Sequence, residues 1–291
     1  MVKEILNLFF VVDKNYIVPF TATLTSVLEN NKALKIEIFV IHEFEQDDLL
    51  DKSSEFFKKK YNLEINFIKI EDKWFEKFYI SEHISKTTYF KFLIAEMLPE
   101  EIEHGLYLDC DIIVTGSLRK LIDFDFRSLD GNSEVSLYAV PDPKAGREVQ
   151  RISSIGVEIN NYFNAGVMLL NLKKLRAEAA FSKMLLIAEK YNTKLTYWDQ
   201  DLFNILFKDD HQFLEKTYNM NATVKHESLP IVIHYMGISK PWHFIDNGPY
   251  KNLYYKYIEL TPFNGLNREK ITIKKVARKY VRLFKFKISK I

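Results

Sequence analysis

The 291-residue chain has a single cysteine, Cys110, so no disulfide can form within it. A lone thiol fits a reducing compartment, which makes the expected location cytoplasmic. Glycine is scarce, nine residues in all. Neither G-x-G-x-x-G nor G-x-x-x-x-G-K-[ST] follows the first apolar segment, which excludes the two glycine-rich devices that cradle nucleotide phosphates. Any phosphate bound here must be met by a metal ion, a lysine or a histidine. No apolar run is long enough to span a bilayer. The first such run, residues 5–12, carries Asn7 and ends at Asp13, so it reads as a strand and not as a signal peptide.

What is present is a composition rich enough to fold. Hydrophobic residues make up 47% of the chain and aromatic residues 14%, which excludes wholesale disorder. The length allows one large α/β domain or two small ones. The net charge of +2 is unevenly spread. After Gly265, Arg268, Lys270, Lys274, Lys275, Arg278, Lys279, Arg282, Lys285, Lys287 and Lys290 face Glu269 alone, so the body is acidic and the tail strongly basic. In that tail Ile273, Val276, Ala277, Tyr280, Val281, Phe284 and Ile288 recur at helical spacing. The expected organisation is a catalytic body, 1–262, and a basic amphipathic tail, 263–291. Residues 268–290 would rest on an anionic membrane surface, or else dock on the acidic body. Without a second basic patch, nucleic acid is not an expected partner.

Along the body, strand and helix alternate. Apolar segments at 5–12 and 36–41 and an alternating one at 64–70 are separated by helical patterns over Ala22, Leu24, Val27 and Leu28, and over Leu49, Leu50, Phe56 and Phe57. That order predicts an α/β fold with a largely parallel, Rossmann-like sheet flanked by helices. Residues 83–98 read as one helix with Tyr89, Phe92, Leu93 and Glu96 on a face and Lys91 off it. Asn164-Ala165-Gly166 reads as a turn leading into an apolar strand.

The densest chemical signal is Leu106-Tyr107-Leu108-Asp109-Cys110-Asp111-Ile112-Ile113-Val114. Read as one buried strand, it puts both carboxylates on one face and Cys110 on the other. Two unpaired acids in an apolar strand are costly unless a hard divalent cation such as Mg²⁺ or Mn²⁺ sits between them. Alternatively, the strand ends at Leu108 and the acids are solvated. Asp199, Gln200 and Asp201 open a helix, where an acid can cap. His234 ends another apolar strand and is either a satisfied core residue or a third metal ligand, with Lys240 placed to meet a phosphate.

Together, Phe10-Val11-Val12-Asp13-Lys14-Asn15-Tyr16, Thr88-Tyr89-Phe90-Lys91, Tyr107-Leu108-Asp109-Cys110-Asp111, Phe163-Asn164-Ala165-Gly166-Val167, Asp199-Gln200-Asp201 and the stretch from His234 to Trp242 resemble the family 8 retaining glycosyltransferases. Bacterial lipopolysaccharide galactosyl- and glucosyltransferases are the nearest group, and glycogenin is more distant. The resemblance implies a GT-A fold and transfer of glucose or galactose from a UDP-sugar to a glycan or glycolipid. It implies Mn²⁺, or Mg²⁺, at Asp109, Asp111 and His234. The implied donor site takes in Val11, Val12, Asp13, Asn15, Tyr16, Lys91, Asp109, Cys110, Asn164, Ala165, Gly237 and Lys240. Within it, Asp13 and Asn15 meet the uridine, and Gly237 and Lys240 the diphosphate. Asn164 also adjoins the sugar, as do the catalytic candidates Gln200 and Asp199, and Asp142 lies near the acceptor. Lys91 departs from the arginine of the T-Y-x-R pattern, keeping the charge but losing the planar fork. Two other readings are a haloacid-dehalogenase-like Mg²⁺ phosphatase and a non-catalytic sugar-nucleotide scaffold.

Overall fold

A computed structural model describes residues 5–71, 74, 87–122, 124–128, 131, 133–191, 193–237 and 239–265. Strand β1 (Ile5–Val11) leads through a single 3-10 turn into helix α1 (Ile17–Asn30), strand β2 (Lys35–His42), helix α2 (Asp48–Tyr61) and strand β3 (Ile65–Lys69). Local chemistry sets these boundaries. Pro19 sits in the first turn of α1, where its missing N–H is not needed. Asp47 caps α2 by accepting from Leu49 N, and Asn62 closes it in the left-handed region at φ 51°.

Four strands, β3, β2, β1 and β4 (His104–Leu108), run parallel. Beyond β4 lies β7 (Phe163–Asn171), the one reversed strand of this sheet among the described residues, then β6 (Leu137–Pro141) and β8 (His211–Phe213). Apolar clusters cover both faces. One packs α1 and α2 against Leu8, Phe10, Val40 and Leu106. The other packs Tyr89, Phe92 and helices α7 (Ala180–Tyr191) and α8 (Trp198–Leu206) against Phe9, Tyr107 and Met168. Burial on two faces explains why these strands read as continuous apolar runs. A smaller sheet, ordered β5 (Ile112–Val114), β10 (Val232–His234), β9 (Met220–Asn221), lies beside it.

Three expectations are corrected. The acidic segment is not one strand: β4 stops at Leu108, and Asp109-Cys110-Asp111 turns the chain from the large sheet into β5 of the small one. The helix expected over 83–98 lies outside the described residues up to 86. From Thr87 onward it is two short pieces, α3 (Thr87–Phe90) and α4 (Ile94–Met97), broken at 91–93. The break lets Phe92 stack on Phe203 of α8 at 4.0 Å, while Glu96 leaves the apolar face for solvent. Asn164-Ala165-Gly166 is no turn but the start of β7, where the register against β6 shifts between Ala139 and Val140. Phe263 is fully buried with Tyr254 and Ile258 of helix α9 (Lys251–Ile258). The basic tail beyond 265 lies outside the described residues.

Candidate active site

One edge of the large sheet collects the site. Parallel β1 and β4 put Asp13 and Asp109 beyond their C-terminal ends, and this is where the chain, having run outward to β3, returns to the other side of β1. Such a switch point opens a crevice. Reversed β7 brings its N-terminal residues Asn164 and Gly166 to the same edge, and Pro141 of β6 pairs with Phe163, placing Asp142 beside them. The small sheet adds the last component, because antiparallel β5 and β10 pair Ile112 with His234.

Asp109, Asp111 and His234 consequently face one another, each offering one ligand atom, all within 4.8 Å of one another. His234 Nε2 lies 3.4 Å from Asp111 Oδ1 and 3.7 Å from Asp109 Oδ2. Gly166 makes this approach possible, since any Cβ there would collide with the His234 ring. The imidazole is only 4% exposed and is oriented from behind: its Nδ1 bonds Asn219 Oδ1 at 2.9 Å. Asn219 is itself fixed, since its Nδ2 donates to Asn164 Oδ1 at 2.8 Å. This assigns the proton to Nδ1 and leaves the Nε2 lone pair facing the carboxylates. Two carboxylate oxygens and an imidazole nitrogen form a donor set that suits a divalent ion such as Mn²⁺ or Mg²⁺.

Cations compensate the acids. Burial by itself would raise the Asp111 pKa, but the Lys240 ammonium holds the carboxyl well below the usual range. Lys240 Nζ bonds Asp111 Oδ2 and donates to Tyr235 O at 2.9 Å. Lys91, which sequence alone left between solvent and site, is only 12% exposed in its side chain, 3.0 Å from Asp109 Oδ1 and 2.5 Å from Asp199 Oδ2. Its burial favours the neutral amine, and these two carboxylates more than reverse that. The Tyr107 hydroxyl donates to Asp109 Oδ1 at 2.6 Å. An ammonium is a point charge on a flexible stem, and here it reaches both acids without the planar fork.

From the triad a hydrogen-bonded chain runs inward. Asn164 Nδ2 donates to Gln200 Oε1 at 2.8 Å, and Gln200 Nε2 donates to Asp142 Oδ2 at 2.7 Å. Gln200 is held at both ends, its amide plane set by neighbours on β7 and beyond β6. Asp201, fully buried, accepts from Arg151 and Tyr162 and from the N–H groups of Thr196 and Tyr197. It ties down the start of α8, so of the three polar residues there Asp201 is the anchor, while Asp199 and Gln200 face a cavity of about 460 Å³. That cavity also takes in Asp142, Asn164, Ala165, Gly237 and Lys240, and an adjoining one of about 310 Å³ takes in Val11, Asp13, Tyr16 and Cys110.

Two residues of the implied donor site, Val12 and Asn15, line neither cavity. The Val12 side chain is fully buried in the core, and Asn15 is exposed. Cys110 borders the smaller cavity, but its thiol donates to Val11 O, and burial beside Asp109 and Asp111 raises its pKa well above the usual value. Sequence reasoning missed Asn219, Tyr107, Tyr162, Arg151 and Lys144. For Asn219 the only signal available was indirect: a ligating histidine needs a partner for its second nitrogen.

The lipopolysaccharide 1,2-glucosyltransferase of Escherichia coli is 27% identical over 301 residues, covering 98% of this chain and 86% of the relative. Glycosyltransferase GlyB of Streptococcus pneumoniae is 30% identical over 276 residues, covering 86% of this chain and 61% of the longer relative. The crystal structure of the galactosyltransferase LgtC with donor and acceptor sugar analogs matches at a TM-score of 0.77 and 25% identity, covering 92% of this chain and 98% of that one. The sequence model described as Glycosyl transferase family 8 matches residues 7–246, which leaves the phosphatase reading without support. By fold, site and sequence, then, the chain belongs to glycosyl transferase family 8, as a glycosyltransferase of GT-A architecture.

Proposed function

We propose that this protein transfers glucose or galactose from a UDP-sugar to a glycan or glycolipid acceptor of a bacterial surface polymer, with Mn²⁺ or Mg²⁺ held by Asp109, Asp111 and His234. The observation that carries the reading is that triad, gathered within 4.8 Å and lining the same cavity as Asp199 and Gln200. A bound cation would offset the charge that develops on the departing diphosphate. Lys240, held by Tyr235 O, supplies a second positive charge on the same side. Asp199, paired with Lys91, presents an anionic face to the anomeric carbon. Gln200 is a poor nucleophile, and with both ends of its amide engaged it serves to position the sugar. This favours front-face substitution with retention over a covalent intermediate. Asp142 stands next to Gln200, where the acceptor would enter. The named activities of the E. coli relative and of LgtC support a hexose donor.

The test is UDP release from a panel of UDP-sugars, with Mn²⁺ and with chelator. Chelator-sensitive release from one donor is expected. Asp109→Asn and Asp111→Asn are expected to abolish it with the fold intact by circular dichroism, and retained turnover in both at saturating Mn²⁺ would reject the metal assignment.

We also propose that the basic tail holds the enzyme on the inner face of the plasma membrane, each lysine or arginine near anionic lipid adding about 1 kcal/mol. No described helix is long and apolar enough to cross a membrane. A chain ending at Gly265 is expected to lose sedimentation with phosphatidylserine vesicles while keeping UDP release; unchanged sedimentation would remove the anchor.

A further inference from the structure

We infer that Lys144 recognises an anionic group, a phosphate or a carboxylate, on the saccharide acceptor. This rests on the transferase reading above. The two cavities share the wall made by Lys91, Asp109, Asp111, Asp199 and Lys240. The smaller continues from that wall to Val11, Asp13 and Tyr16, the nucleotide side. The larger continues the other way, past Asp142, Lys144, Glu148 and Tyr197, and this arm is left for the acceptor.

The cations lining the larger cavity are not equivalent. Lys91 is held by Asp109 and Asp199, Lys240 by Asp111, and Arg151 by Glu148 and Asp201. Lys144 has no carboxylate oxygen within 4.0 Å among the described residues, although it is half-buried. Glu148, on the same arm, is already engaged: its Oε2 accepts from Arg151 and its Oε1 from the Tyr197 hydroxyl.

The placement of Lys144 is fixed from its backbone. Its N–H donates to Asp142 Oδ1 at 2.7 Å, the carboxylate whose other oxygen receives Gln200. Its ammonium lies 3.6 Å from where a Cβ on Gly237 would stand, so it borders the diphosphate end of the implied donor site, and UDP must occupy that end before an acceptor probe is added. A neutral acceptor filling this arm would offer the ammonium only hydroxyl hydrogen bonds in place of its water, whereas an anionic one would also answer its charge through stronger, charge-assisted bonds.

The test uses glucose, glucose 6-phosphate and glucuronic acid as probes, titrated by ligand-observed NMR against the full chain saturated with UDP and Mg²⁺. Both anionic sugars are expected to bind about fivefold or more tightly than glucose, the scale of a half-exposed ion pair. The preference is expected to vanish in Lys144→Met and to persist in Lys144→Arg. Preference for only one anionic sugar supports the inference and names the group. Equal affinities, a preference that survives Lys144→Met, or anion binding that UDP displaces would overturn it. UDP is titrated first by calorimetry, so failure to bind UDP would defeat the transferase reading, while equal sugar affinities with UDP bound would defeat the Lys144 assignment alone.

Discussion

Gly166 lies directly against His234: a Cβ added to it would stand 2.2 Å from the imidazole Cε1 and 2.8 Å from Asp109 Oδ2. Both atoms belong to the triad, so the smallest possible side chain would push two ligands apart. Gly166→Ala is expected to reduce metal-dependent UDP release on the order of 100-fold, as a misplaced catalytic constellation does. Its stability cost should be modest by comparison, roughly 1–3 kcal/mol of overpacking. Paired activity and thermal-melting measurements check this; near-normal activity in the alanine variant would mean that the triad does not act as a unit.

The Asn219 amide orients His234 without reaching the cavity itself. Asn219→Leu removes the acceptor for Nδ1–H and the donor to Asn164 Oδ1 together. Loss of such an outer partner is expected to weaken metal affinity about 10–100-fold. The readout is the Mn²⁺ concentration that gives half-maximal UDP release; Asn219→Asp, which retains an acceptor, should recover part of the loss.

Arg151 and Asp201 form the pair that anchors α8, with Arg151 Nη1 at 2.8 and 2.9 Å from the two carboxylate oxygens. Asp201 is fully buried, whereas the Arg151 side chain is 19% exposed. Asp201→Asn is therefore expected to cost about 3 kcal/mol, the lower end for a broken buried pair, because Arg151 retains some water and Glu148. Urea unfolding measures it, and a change below about 1 kcal/mol would show that the pair adds little to its neighbours.

Away from the site, His42 and His211 have pKa values lowered chiefly by burial. Below the ordinary histidine value of about 6.5, the unfolded chain takes up protons that the folded chain refuses. Stability should consequently be level above that value and fall as pH drops through it towards the folded-state pKa values. Urea midpoints at about pH 7.5 and about pH 5.5 are expected to show this fall, and His42→Gln with His211→Gln to flatten it. Equal midpoints in the unaltered protein would contradict it.

The first half of the sheet was legible because its signals are local. The apolar runs and the helical periodicities of α1 and α2 each depend on a few neighbouring residues. The D-C-D triplet, the D-Q-D segment and His234 stood out because acids or an imidazole among apolar residues need compensation wherever they fall. Their assembly was not legible. The break at 91–93 depends on Phe203, more than a hundred residues away, and the turn at Asp109 depends on β5 leaving for another sheet.

The sequence by itself determined that this is an α/β protein with two carboxylates requiring a counter-charge and no glycine-rich phosphate loop, because burial and backbone preference act over short stretches. Only the tertiary structure decided which partners answer those charges. Lys91 bridges Asp109 and Asp199, Asn219 orients His234, Asp201 anchors α8 and the Lys144 ammonium makes no ion pair within 4.0 Å among the described residues. Coulomb and hydrogen-bond terms depend on distance in space, and here that distance is set by the reversed β7 strand and the pairing of β5 with β10, which bring remote segments to one edge.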